Sequence, residues 1–171
     1  MSIEFIPFSY QSSLFYDAVR IYCEVWGRDR QGSLLFFQRY AEYGYFSGYV
    51  ASHHSRVIGM GFGTISKKGQ WWHDKVAEQV GENHSALQEA WVLTELAVLK
   101  EYRNKQIGSA LHKRILKTQP FRNVLLSTQV DNFGARRFYE KQGWGYLHAG
   151  FSFQRGQMPY CIMHKVINHE S

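Results

Sequence analysis

Two groups of residues in this chain have types and spacing suited to chemistry. The first is a basic loop, Arg103, Asn104, Lys105, Gln106, Ile107, Gly108 and Ser109. An apolar run at 92–98 precedes it, and Ile107, Leu111 and Ile115 recur every four positions after it. The run has strand length and β-branched content. The recurrence is the buried stripe of a helix. A strand, a basic loop and a helix start together make an anion site. The first amides of a helix lack intrahelical partners, and the peptide dipoles add about half a positive charge at that end. A phosphate placed there meets both. Gly108, without a Cβ, lets backbone approach a ligand, and Arg103 and Lys105 add formal charge. Read alone, the loop also fits an ordinary connection with solvated basic residues.

The second group centres on Glu95, a carboxylate inside the apolar run. Burial disfavours the charged form and raises the pKa toward the range of a useful base. Side chains alternate along a strand, so Glu95 shares a face with Ala97 and opposes Leu96. Its other role would be a carboxylate paired with a polar neighbour or facing solvent.

The elements that hold these groups can be read in order. Residues 3–7 alternate and meet Pro7, as an edge strand does. Apolar positions at steps of three and four predict a helix over 12–26, with Ser12 and Ser13 as caps. A second helix is expected over 31–42, ended by Gly44. Two paired strands, 45–51 and 56–65, follow. Gly59, Gly61 and Gly63 lie on one face of the second, which implies close approach of another element or a bulge. Residues 66–90 form a long connection with a short helix at 74–80, and connections of this length are commonly functional or mobile. A strand at 123–130, a helix capped by Asp131 or Asn132 and ended near Gly143, and a strand pair at 144–153 and 159–166 complete the chain.

Composition narrows the function. The 171 residues suit one domain with a sizeable core, and 44% apolar content argues against disorder. Nothing approaches the roughly 18 apolar residues of a membrane span, and the N-terminus lacks the pattern of a secretory signal. Cys23 and Cys161 are far apart, so a reducing cytoplasm is the expected setting. The eight histidines show no ligand spacing, so no metal is expected. His53 and His54 read as a solvated turn, and Cys161 as a buried small side chain. The formal charge of +6 favours an anionic partner. No basic run is long enough for a nucleic-acid tail.

A second motif decides among anionic partners. Asn132, Ala135, Phe138, Tyr139, Gly143 and Trp144 resemble the signature Asn-x-x-Ala-x-x-Phe-Tyr-x-x-x-Gly-Phe of the GNAT superfamily, with Trp144 for the last Phe. The loop from Arg103 to Gly108 is similar to that family's phosphate loop, Arg/Gln-x-x-Gly-x-Gly/Ala, with Gln106 in place of the first glycine. A glutamine there could still offer its N–H from a right-handed backbone. The motifs cover roughly the C-terminal half.

The resemblance implies a single α/β domain over 1–171, with a mixed, mostly antiparallel sheet of six or seven strands and helices on both faces. The fourth and fifth strands would run parallel and splay, and acetyl-CoA would enter the split. The backbone of Leu96, Ala97 and Val98 would pair with the pantetheine amides, Arg103 to Ser109 would hold the pyrophosphate, and Asn132 would bond the pantetheine arm. The reaction would be direct acetyl transfer to a primary amine, with Tyr139 protonating the leaving thiolate and Glu95 as base. The alternative is an acyl-CoA sensor without catalysis, which Gln106 would suit. Trp26, Trp71 and Trp72 would wall an acceptor pocket, and Asp74, Glu78 and Glu82 would attract a cationic amine. Dimers are common in the family.

Overall fold

The computed structural model describes residues 1–169. Among them the chain forms β1 (Glu4–Phe8), α1 (Leu14–Trp26), α2 (Arg30–Glu42), β2 (Ser47–His53), β3 (Arg56–Ser66), α3 (Trp71–Val80), β4 (Ala90–Val98), α4 (Ile107–Thr118), β5 (Asn123–Gln129), α5 (Phe133–Lys141), β6 (Gly145–Phe151) and β7 (Tyr160–Val166). The strands make one seven-stranded sheet in the order β1-β2-β3-β4-β5-β7-β6. The β4–β5 pair is parallel and joins the first three residues of each strand. The pairs β1–β2, β2–β3, β5–β7 and β6–β7 are antiparallel. The expected class is therefore the observed one, an open mixed sheet with five helices.

Contacts divide the chain into two compact units, Met1–Ile65 with Leu93–Pro120, and Ser66–Val92 with the chain from Phe121 on. In the first unit the alternating glycines of β3 have a clear cause. A Cβ on Gly61 would lie 2.6 Å from Ile115 Cδ1 of α4 and 2.9 Å from Leu96 Cδ1 of β4, and one on Gly59 would touch Leu111 Cδ1 at 3.4 Å. The helix therefore packs directly on β3, where any side chain would hold it away. A bulge adjoins these glycines as well, since the register passes from Ala51 opposite Gly59 to Ser52 opposite Val57 and leaves Ile58 of β3 as the extra residue. The opposite face of β3 carries Phe62, whose ring meets Phe37 of α2 at 4.8 Å.

The second unit has its own core of Val76, Ala86, Leu87, Ala90, Leu125, Phe153 and Ile162. Its first helix begins at Trp71, three residues before the sequence expectation. The extra turn is held by Asp74, whose backbone N–H donates to Gln70 O and whose Oδ1 accepts from Gly69 N. Strand β2 begins two residues later than expected, because Gly44 and Tyr45 both take positive φ and the chain is still turning there. The caps of α1 differ from a standard one. Ser13 makes no side-chain cap bond, and Ser12 Oγ accepts from Leu14 N instead.

Candidate active site

Strand alternation sets the first feature. Leu96 is on the α4 face, so Glu95 points to the other side of β4, toward α1 and α2. There Trp26 and Arg28 lie near enough to favour its charged form. Burial outweighs both and pushes the Glu95 carboxyl up to about 8. Tyr40 of α2 lies within the same field; burial, with smaller contributions from Tyr43 and Glu95, pushes its phenol up to about 12. Trp26 and Arg28 stand where they do because α1 stops at Gly27. That glycine has φ 63°, and its N–H and that of Arg28 both donate to Cys23 O. A left-handed glycine with two such bonds is the common way to end a helix sharply.

The second feature is the loop before α4. Leu99 N donates to Ile58 O, and a single 3-10 turn at Lys100–Tyr102 reverses the chain. Arg103 then folds back, its Nε donating to Val98 O at 3.1 Å. That carbonyl was expected to face a pantetheine amide, and one of its lone pairs is already used. Asn104 and Gln106 have φ of 61° and 62°. The right-handed backbone from which Gln106 could offer its N–H is thus not the one it adopts. The residue adopts a left-handed conformation that glycine would adopt freely, because the chain must turn there to start α4 at Ile107. No side chain caps α4, and its first internal bond runs from Ala110 N to Gln106 O.

The second unit carries the remaining motif. Asn132 caps α5, its Oδ1 accepting from Ala135 N at 3.2 Å. Its Nδ2 is left to act as a donor. Tyr139 is half-buried; its ring packs on Phe138 and on Trp144, and its carbonyl accepts from Trp144 N. Gly143, at φ 91°, lets the chain return to make that bond. The motif spacing therefore fixes the Tyr139 ring between α5 and the start of β6.

The connection at 66–90 is anchored by aromatic residues. Trp72 Nε1 donates to Ser127 Oγ at 3.1 Å, and Trp71, half exposed, lies 5.7 Å from the Phe153 ring. The three acids expected to draw an amine are each locally engaged. Asp74 accepts from Gly69, Glu78 is 3.9 Å from Lys75, and Glu82 is 4.0 Å from Lys68. Sequence reasoning did not find the buried pair Ser66 and His73, joined at 2.8 Å. It also placed Trp26 only as a pocket wall, although Trp26, Gly27 and Arg28 stand in line at a helix end.

Cys161 is fully buried, with Sγ donating to Thr128 O. His53 bonds Tyr102 OH. No group of metal-binding side chains occurs among the described residues. A groove of about 240 Å³ between α1 and α2, lined by residues including Tyr16, Arg20 and Arg30, contains none of the motif residues.

Comparison with known proteins gives one answer. The sequence model of the acetyltransferase (GNAT) family matches residues 12–144. A GCN5-like protein acetyltransferase of Mycobacterium tuberculosis is 27% identical over 121 residues, 65% of this chain and 59% of that protein. The match thus spans less than two thirds of that relative. Among solved structures, NAA60 of Arabidopsis thaliana with a bisubstrate analogue aligns over 99% of this chain and 100% of that one, with TM-score 0.67 and 20% identity. A chain of the NatC complex, bound to Gag peptide and CoA, aligns over 98% and 100%, with TM-score 0.69 and 15% identity. These structural likenesses show the shared fold.

Proposed function

This chain belongs to the acetyltransferase (GNAT) family, and from that premise we propose that it works as one domain over 1–171. It transfers an acetyl group from acetyl-CoA directly to a primary amine of a small molecule or peptide. The observation that carries this reading is the uncapped start of α4 behind a basic loop. With no side chain capping the helix, its first amides suit an anion, and Arg103 and Lys105 supply charge. The left-handed backbone of Gln106, open to glycine without strain, favours a working loop over the sensor alternative.

In this reading the residues from Arg103 to Ser109 hold the pyrophosphate, and Asn132 Nδ2 donates to the pantetheine arm. Leu96, Ala97 and Val98 offer backbone groups to its amides. The bound thioester supplies the acyl group. Glu95 takes the proton of the attacking amine, since only the neutral amine is a nucleophile, and a carboxyl near pH 8 is poised to do so. Tyr139 gives its proton to the departing thiolate. The two free cysteines suit the cytoplasm, and no described helix is long and apolar enough to cross a membrane.

The test is a coupled assay for CoA release over a panel of primary amines and short peptides. Acetyl-CoA-dependent turnover that Tyr139→Phe lowers by about 10- to 100-fold supports the reading. Binding of acetyl-CoA with no turnover on any amine would favour the sensor.

A further inference from the structure

Helix α5 carries Asn132 at its cap and Tyr139 near its end, yet none of its nine residues is fully buried. Packing alone therefore does little to fix it. One side chain, Arg136, ties the helix to the chain on both sides of it. Its Nη1 donates to Val130 O at 2.6 Å, and its Nε donates to Tyr146 OH at 3.0 Å. That hydroxyl donates in turn to Glu140 Oε1 at 2.8 Å. The guanidinium carbon lies 5.7 Å from the centre of the Phe133 ring and 5.2 Å from that of Tyr146. A planar group with donors engaged in two directions, and with two rings beside it, has little freedom left.

The carbonyl that Arg136 holds matters because of its place. It belongs to the peptide between Val130 and Asp131, just ahead of Asn132. The other side of Val130 is fixed as well, its N–H donating to Pro159 O at 3.1 Å. Asn132 N donates to Gln129 O at 3.0 Å, and Asn132 Oδ1 accepts from Ala135 N at 3.2 Å. With Oδ1 so used, the direction of Nδ2 follows from the turn at 130–132, and Arg136 holds the carbonyl that opens that turn.

We infer that Arg136 is a positioning residue for Asn132: it clamps the Val130 carbonyl and so aims the Asn132 side-chain amide. The inference rests on the reading of Asn132 as donor to the pantetheine arm. Loss of the guanidinium frees the turn, and the donor no longer meets the arm in one geometry.

Calorimetric titration with CoA and with 3′-phospho-ADP, its nucleotide half without pantetheine, separates the two ends of the ligand. The proteins are the unsubstituted chain, Asn132→Ala, Arg136→Met, the double variant, and Arg137→Met, which removes one exposed charge from the same helix. Melting curves check that each is folded, and Arg136→Gln takes the place of Arg136→Met if methionine disturbs the fold. Arg136→Met and Asn132→Ala should each weaken CoA about three- to tenfold and leave 3′-phospho-ADP within about twofold. The double variant should lose no more than either alone, because one residue acts through the other. Arg137→Met should keep the ratio of the two affinities. If Arg136→Met binds CoA undiminished, loses both ligands equally, or multiplies the loss of Asn132→Ala, the positioning role is overturned and Asn132 keeps its own. If Asn132→Ala binds CoA as the unsubstituted protein does, the reading of Asn132 falls and the inference with it.

Discussion

At the scale of single residues, Glu95 and Gln106 carry the most testable chemistry. The Glu95 carboxyl sits well above its ordinary value of 4.5, because burial disfavours the charge. A folded state that binds its proton more tightly than the unfolded chain is favoured at low pH. This contribution is complete below about 4.5 and is lost as pH rises through about 8. Glu95→Gln should therefore flatten the pH dependence of stability between pH 5 and 9, by on the order of 4 kcal/mol. Urea midpoints measured across that range check this. The same variant should lower kcat about 100-fold and remove the limb of the rate profile that rises with pH toward about 8. Gln106 offers the opposite kind of test. A left-handed non-glycine residue costs about 1–2 kcal/mol, partly offset by the greater freedom of glycine when unfolded. Gln106→Gly should raise stability by roughly 0.5–1 kcal/mol and leave acetyl-CoA affinity the same or better. Denaturant unfolding and binding titration measure both.

At the scale of elements, the contact of β3 with α4 positions the loop. Gly61→Val would drive two methyl groups into Ile115 and Leu96, beyond the 2.6 Å and 2.9 Å contacts that a Cβ alone would make. It should destabilise by about 1–3 kcal/mol and weaken acetyl-CoA binding as the start of α4 moves. Gly27→Val, an open site at positive φ, should cost stability through strain without affecting cofactor binding. Thermal melts and titrations of the two variants separate these effects. Much of this layer was legible in the sequence. The period of Ile107, Leu111 and Ile115 marked α4 within a residue, and the alternate glycines of β3 announced a close neighbour. The left-handed Gln106 was not legible, since a single backbone angle ahead of α4 leaves no period in the residue types. Nor was the approach of Trp26 and Arg28 to Glu95, because residues so far apart in sequence meet only when the sheet and helices assemble. The start of α3 was missed because its first turn is held by bonds among Gly69, Gln70 and Asp74, where no apolar period shows.

At the scale of the whole molecule, charge and family membership point to the same cosubstrate. A formal charge of +6 draws a polyanion over a Debye length of about 8 Å at physiological salt. The KM for acetyl-CoA should rise severalfold between roughly 20 and 300 mM salt, while the KM for a neutral acceptor changes little. The central claim is that acetyl-CoA binds through the loop ahead of α4. The most direct measurement is calorimetric titration with acetyl-CoA of the protein and of an Arg103→Ala, Gly108→Trp variant whose melting curve shows it folded. Binding in the micromolar range, weakened at least about tenfold in the variant, is the predicted result. No binding by the unsubstituted protein, or equal binding by both, would contradict it.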